Sequence, residues 1–241
     1  MLRTTTRITG LLVLLTLLAV PASAQIVQSV HFGFGAFLPR GESSRDAQDT
    51  LLADLQDQDA LLFKVSEFNS GQAFGEYLLG LGNHLEVGLG AGFYAGGTHS
   101  VYRDSVNFFT GDEIEQDLRL RVVPVTGVVR FLAGRPGTVQ PYFGVGISAL
   151  NYRYSEIGEF IDVTDSARPT FSARYVASGT AVGPTVLAGV RVPVKGDIWG
   201  VSFEWRYQGG LGTTGGLDKG FLGDKIDLSG NNLNFGVLLR F

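Results

Sequence analysis

Seven ionisable residues fall inside segments that otherwise alternate between apolar and small or polar side chains: Glu76, Glu86, Arg130, Arg191, Glu204, Arg206 and Arg240. Buried ions must pair to offset their desolvation, so the chemistry first expected of three carboxylates and four guanidinium groups is an internal ion-pair network. Nucleophilic catalysis would need a hydroxyl or thiol, a base in reach and an acid to orient it. The chain has no cysteine, which excludes thiolate chemistry, a thiolate metal site and any disulfide. Of the three histidines, His99 is followed directly by Ser100, not at the two-residue spacing that would put both on one strand face, and His31 and His84 have no serine in register. A triad assembled from distant segments stays open. Asp54, Asp57 and Asp59 are close enough in sequence to collect Ca²⁺, but they lack the glycine and terminal glutamate of an EF-hand loop, and a solvated acidic face is expected instead. No catalytic residue, cofactor or metal site is expected.

The elements that must position these residues follow a leader. Arg3 and Arg7 precede the apolar run Leu11 to Val20, and Pro21-Ala22-Ser23-Ala24 offers the small residues at which a signal peptidase cleaves. The apolar run is about ten residues, half of what a membrane-spanning helix needs. Residues 1–24 therefore read as a cleaved signal peptide and 25–241 as one exported domain, with no cysteine to carry a lipid anchor. The leader holds two of the 19 Lys and Arg and none of the 23 Asp and Glu, so the mature chain has a net charge of about −6, which argues against nucleic acid as a partner.

The terminal segment sets the pattern. Leu233, Phe235, Val237, Leu239 and Phe241 alternate with Asn232, Asn234, Gly236, Leu238 and Arg240, the two-residue period of a strand. Trp199, Val201, Phe203, Trp205 and Tyr207 share one face of another strand, while Gly200, Ser202, Glu204 and Arg206 share the other. Charges on the side opposite the aromatic rings suit a barrel with lipid outside and a polar interior. A strand from Trp199 to Tyr207, tilted by about 40°, rises roughly 20 Å, which places Trp199, Trp205 and Tyr207 in aromatic girdles at the two interfaces. Further strands are predicted near 30–38, 73–81, 85–93, 118–132, 141–152 and 180–192. In the fourth of these the apolar face changes from even to odd numbers around Val122-Val123, and a β-bulge is predicted there. Connections at Gly82-Asn83, 133–139 and 193–197 are short; those at 39–72, 95–117, 153–179 and 208–230 are long, as expected of periplasmic turns and outer loops. Between Ser43 and Val65 the residues Leu51, Leu52, Leu55, Leu61 and Leu62 recur with near-helical spacing, predicting a short amphipathic helix over the barrel mouth. The glycines of 209–223 predict a flexible fourth loop.

The segments Pro141-Tyr142-Phe143-Gly144-Val145-Gly146 and Val123-Pro124-Val125-Thr126-Gly127, with the terminal Leu239-Arg240-Phe241, resemble the small outer-membrane barrels of OmpA-like, OmpW-like and OmpX-like type across the whole mature chain. The resemblance implies an all-β fold, an eight-stranded antiparallel up-and-down transmembrane β-barrel with short periplasmic turns and long outer loops. It implies outer-membrane lipid and lipopolysaccharide as surroundings. It also implies recognition of Leu233, Phe235, Val237, Leu239 and Phe241 by the barrel assembly machinery. With the chain ending at its last strand, no peptidoglycan-binding domain is expected. A structural or surface-interaction role without enzymatic activity is the reading, with a narrow channel for small solutes as the alternative. A lipid A-modifying enzyme and a soluble lipocalin-like binder are the remaining rivals.

Overall fold

The computed structural model describes residues 26–107, 110–165, 167–195 and 198–241; the leader and its cleavage site lie outside them. Eight antiparallel strands close into a barrel: β1 (Ile26–Pro39), β2 (Ser70–Leu81), β3 (Leu85–Val106), β4 (Glu113–Leu132), β5 (Gln140–Ile161), β6 (Thr170–Lys195), β7 (Trp199–Gln208) and β10 (Gly230–Arg240). Closure is made by β1 against β10, in a register that sets Phe34 opposite Phe235 and Ser29 opposite Arg240. No helix among the described residues is long and apolar enough to cross a membrane. At one end the connections are tight; Gly82, at φ 72°, takes the left-handed conformation that the β2–β3 turn requires.

Along each strand the parity assigns a face. On β5 the outward Phe143, Val145 and Ile147 are exposed, while Tyr142, Gly144, Ser148 and Leu150 are buried. A water-exposed surface of this composition would be costly, whereas in lipid it is the expected outer wall.

The predicted β-bulge at Val122-Val123 is absent. The β3–β4 register is continuous from Leu85 opposite Phe131 to Val101 opposite Glu115; its shift comes only beyond Val101, near the strand ends. Leu118, Leu120 and Val122 simply point inward and are buried, and Val125, Val129 and Phe131 point outward. What changes at Val122 is the polarity of the two sides. Below it the outer face is apolar and the lumen polar; above it the outer face carries Arg119 and Arg121, and the lumen is apolar.

The same inversion explains why the predicted strands were short. β3 to β6 continue far beyond the apolar band, so that the expected outer loops at 95–117 and 153–179 shrink to connections at 107–112 and 162–169. These four strands form a collar on one side of the barrel. On the other side β1, β2, β7 and β10 stop early, and the chain between them folds inward. The helix α1 (Thr50–Gln56) inserts Leu51 and Leu52, its N terminus capped by the Asp49 carboxylate, which accepts from the Leu52 amide at 3.2 Å. Ala60–Leu62 adds to the free edge of β3, with Leu62 N donating to Val101 O and Arg103 N donating to Ala60 O, both at 2.8 Å. The fourth loop is ordered by a small hairpin of β8 (Leu211–Thr213) and β9 (Lys225–Asp227), and it buries Phe221, Ile226 and Leu228. Glycine content alone overstated its freedom. The result is an apolar plug of Phe37, Leu51, Phe63, Phe68, Tyr94, Leu118, Leu120, Tyr154 and Phe221 in the outer half of the barrel.

Candidate functional site

Below the plug the lumen is filled by charge. β2, β4 and β7 bring Glu76, Arg130, Glu204 and Arg206 into one cluster, all inward by strand parity and all buried. Arg130 binds the Glu76 carboxylate and donates to Glu204 Oε2 at 2.9 Å. Arg206 donates to Glu76 Oε1 at 2.6 Å and to Glu204 Oε1 at 2.9 Å. Two carboxylates thus meet two guanidinium groups, which is the condition under which buried ions are tolerated. Tyr142 closes the ring: its hydroxyl donates to Glu204 Oε2 at 3.0 Å, and the guanidinium carbon of Arg130 sits 5.2 Å from its ring centroid.

Nearer the periplasmic end, Arg191 grips Glu86 in a bidentate pair at 2.8 and 2.9 Å, with Tyr142 again within 5.8 Å of the guanidinium carbon. Glu86 is directly opposite Arg130 in the β3–β4 register, yet the long Arg130 side chain reaches toward the outer cluster instead. Arg240 lines the same periplasmic cavity as Glu86. The seven charges named from sequence therefore divide into a four-membered central cluster, a bidentate pair and a residue at the mouth.

Two participants were missed. His31 places Nε2 2.7 Å from Ser202 Oγ and Nδ1 3.3 Å from Glu76 Oε2, a serine partner that adjacent-residue spacing could not reveal because it is 171 positions away. Only the strand register brings β1, β2 and β7 to one level. The order serine, histidine, glutamate is that of a nucleophile, a base and an orienting acid. Here, however, all three side chains are buried in the lumen, and Glu76 already serves two arginines. The Ser202 hydroxyl also lies 3.4 Å from the Gly236 carbonyl, to which it can donate. A side chain at Gly236 would collide with the imidazole, so this glycine makes room for His31. Tyr142 was the second omission; its inward parity on β5 was the available signal.

Asp54, Asp57 and Asp59 do not share the solvated face expected of them, because only Asp57 is exposed, nor do they form a group arranged to hold a cation. Asp54 is buried against Glu156, Asp57 caps the end of α1, and Asp59 pairs with Arg168. Among the described residues no group of three or more acidic or histidine side chains is arranged to hold a metal. Glu156 stands on β5 above the outward Asn151 and Arg153, beyond the apolar band, so the pair belongs to the outer plug. Burial pushes both carboxyls up, and the neighbouring Glu156 raises Asp54 further; Glu156 itself is pushed up to about 7.

The remaining residues named from sequence lie on the outer wall. Trp199, Trp205 and Tyr207 face outward near the two ends of β7, and Trp205 Nε1 donates to Asn231 at 3.1 Å. Leu233, Phe235, Val237, Leu239 and Phe241 take the outward parity at the carboxy-terminal end, with Phe241 just past the end of β10.

Comparison with known proteins agrees with this architecture. Residues 10–241 match the family model described as the outer membrane protein beta-barrel domain. Among solved structures, the outer membrane protein OprG from Pseudomonas aeruginosa is 9% identical with a TM-score of 0.52, over 90% of this chain and 97% of that one. Neisserial surface protein A is 14% identical with a TM-score of 0.45, over 90% and 96%. At 9% identity the likeness to OprG concerns the fold alone. No curated protein matches the chain.

Proposed function

The chain belongs to the family of outer-membrane protein β-barrel domains, and from that premise we propose that it serves as a closed, non-catalytic barrel of structural or surface-interaction type. The observation that carries this reading is the double stopper in the lumen. An eight-stranded barrel has little interior beyond what side chains fill; here that interior holds the Glu76–Arg130–Glu204–Arg206 cluster and, above it, the apolar plug sealed by α1. Export would be directed by residues 1–24 and accompanied by cleavage after Ala24. Outer-membrane lipid and lipopolysaccharide would surround the apolar band, with Trp199, Trp205 and Tyr207 at its interfaces. The outward residues Leu233 to Phe241 would be read by the assembly machinery during insertion; deletion of Phe241 should slow the appearance of folded barrel in the outer membrane.

A narrow channel is the second reading. It is favoured by the sharing of both carboxylates between Arg130 and Arg206, in which one partner can be exchanged without leaving a charge bare. Planar-bilayer recordings separate the two. A closed barrel gives no stable conductance steps, while reproducible small steps that disappear in Arg130→Met would install the channel reading in its place.

A further inference from the structure

Immediately beyond the apolar band, the outward face of β3 to β6 collects cations. Arg121 on β4 and Arg153 on β5 are directly opposite each other in the register, and both are exposed. Arg119 lies one outward position further along β4, and Arg174 lies on β6 opposite Ile157. Like charges placed directly across a strand pair work against the sheet, so folding does not account for them. Among the described residues no carboxylate pairs with Arg121, Arg153 or Arg174; Arg119 is held by Asp117 at 2.8 Å. This local excess of positive charge stands on a chain whose net charge is −4.

The patch also has relief. Opposite Arg121 and Arg119, β3 contributes the small residues Ala95 and Gly97, leaving beside the arginines an open groove of about 750 Å³ that Arg153 and Arg174 also line. Its height is set by the strand. Arg121 precedes the outward Val123 by two residues, which sets it roughly 5 Å further out along the membrane normal for a tilted strand, the depth of the lipid headgroups.

We propose that this groove binds the phosphate groups of outer-leaflet lipid, the bisphosphorylated lipid A of lipopolysaccharide, through Arg121, Arg153 and Arg174. Guanidinium forks suit phosphate oxygens, and a membrane surface supplies those phosphates at the height where Arg121 and Arg153 stand; Arg174, four residues further out on β6 than Ser178 opposite Arg153, lines the same groove from its outer side. The assignment rests on the membrane placement proposed above. It goes beyond that reading by naming a lipid site on one side of the barrel.

The test compares the full barrel with Arg121→Gln/Arg153→Gln/Arg174→Gln after reconstitution with bisphosphorylated lipid A, or with the same lipid stripped of its phosphates, followed by exchange into lipid-free detergent and quantification of the lipid retained. The wild-type barrel should retain phosphorylated lipid A more strongly than the triple variant by on the order of 100-fold in affinity, and neither should retain the stripped lipid. Equal retention by both proteins, or retention independent of the phosphates, would overturn the assignment. Heparin in solution is the third probe: arginine-dependent binding of heparin without arginine-dependent retention of lipid would overturn the lipid source in favour of a soluble polyanion. The heat-dependent gel shift of a closed barrel keeps failures apart. These exposed positions should leave the shift intact in the variant, and Arg153→Glu alone should weaken retention while keeping it. A wild-type chain without the shift and outside the membrane would overturn the membrane placement and the lipid site together.

Discussion

The two halves of the lumen are built on opposite principles. In the inner half the strands show lipid their Val, Leu and Phe residues and turn Glu76, Glu86, Arg130, Arg191, Glu204 and Arg206 inward; in the outer half the same strands show water Arg119, Arg121 and Arg153 and turn Leu118, Leu120, Leu150 and Tyr154 inward. The inner half is the one that distinguishes a membrane barrel from a soluble one. The lower half resembles an inverted protein, and the upper half an ordinary one with its hydrophobic core inside. Their junction on β4, between Val123 and Arg121, marks where the surrounding solvent changes, and the side chains of one uninterrupted strand record it.

The contrast can be broken from either side. The largest effect is expected in the lower half, where Glu76→Ala leaves Arg130 and Arg206 short of a counter-ion and should cost about 5 kcal/mol, at the upper end of what removing one partner of a buried pair costs. It would be read as a fall in the urea midpoint of the heat-dependent gel shift. In the upper half Phe68→Ala removes a fully buried ring and should cost about 4 kcal/mol. That loss should fall on the plug, with residues 40–69 becoming sensitive to protease while the barrel keeps its shift.

The halves should also differ in pH response. Glu156 is held protonated by burial beside Asp54, with a folded value of about 7 against a usual 4.5. An acid whose value is raised on folding favours the folded state at low pH. The advantage is lost as pH rises from about 4.5 to about 7, by at most about 3 kcal/mol at 1.36 kcal/mol for each unit. Plug protection from protease should therefore fall over that range, and Glu156→Gln should flatten the profile. An unchanged profile in that variant would remove the Glu156 carboxyl as its cause. The smallest effect is expected from Tyr142→Phe, which keeps the ring over Arg130 and removes only the hydroxyl donated to Glu204. A loss of about 1.5 kcal/mol is appropriate to a hydrogen bond on a charged group.

Much of the lower half was legible in the sequence, because two-residue alternation assigns every side chain to a face once a strand is recognised. The ion-pair residues and the outward rows of β7 and β10 follow from parity alone. The pairing within the lumen does not follow from it: Arg130 stands opposite Glu86 but binds Glu76 and Glu204, and His31 meets Ser202, because side-chain reach and barrel stagger decide contacts between distant strands. The upper half was misread for a different reason. Leu118 and Leu120 change parity relative to the lipid-facing row only if the outer face is assumed to remain apolar; once lipid gives way to water, the same parity describes an inward core without a bulge. The collar segments looked like loops because their outer faces carry charged residues, among them Glu115, Asp117, Arg153 and Arg174. Likewise the acidic residues around α1 suggested solvation, whereas Asp49 and Asp54 are buried as a helix cap and as the partner of Glu156.

The junction on β4 is the feature on which the membrane placement, the two stoppers and the cationic groove all depend, and the absence of native cysteine makes it directly accessible. Single cysteines at 119, 121, 123, 125, 127, 129 and 131, each carrying a spin label in the reconstituted barrel, can be ranked by collision with oxygen, which concentrates in lipid, and with a water-soluble nickel chelate. Lipid-like behaviour from 123 to 131 and water-like behaviour at 119 and 121 is the expected result. A water-like label at 125 or 129, or a lipid-like label at 119, would contradict the account.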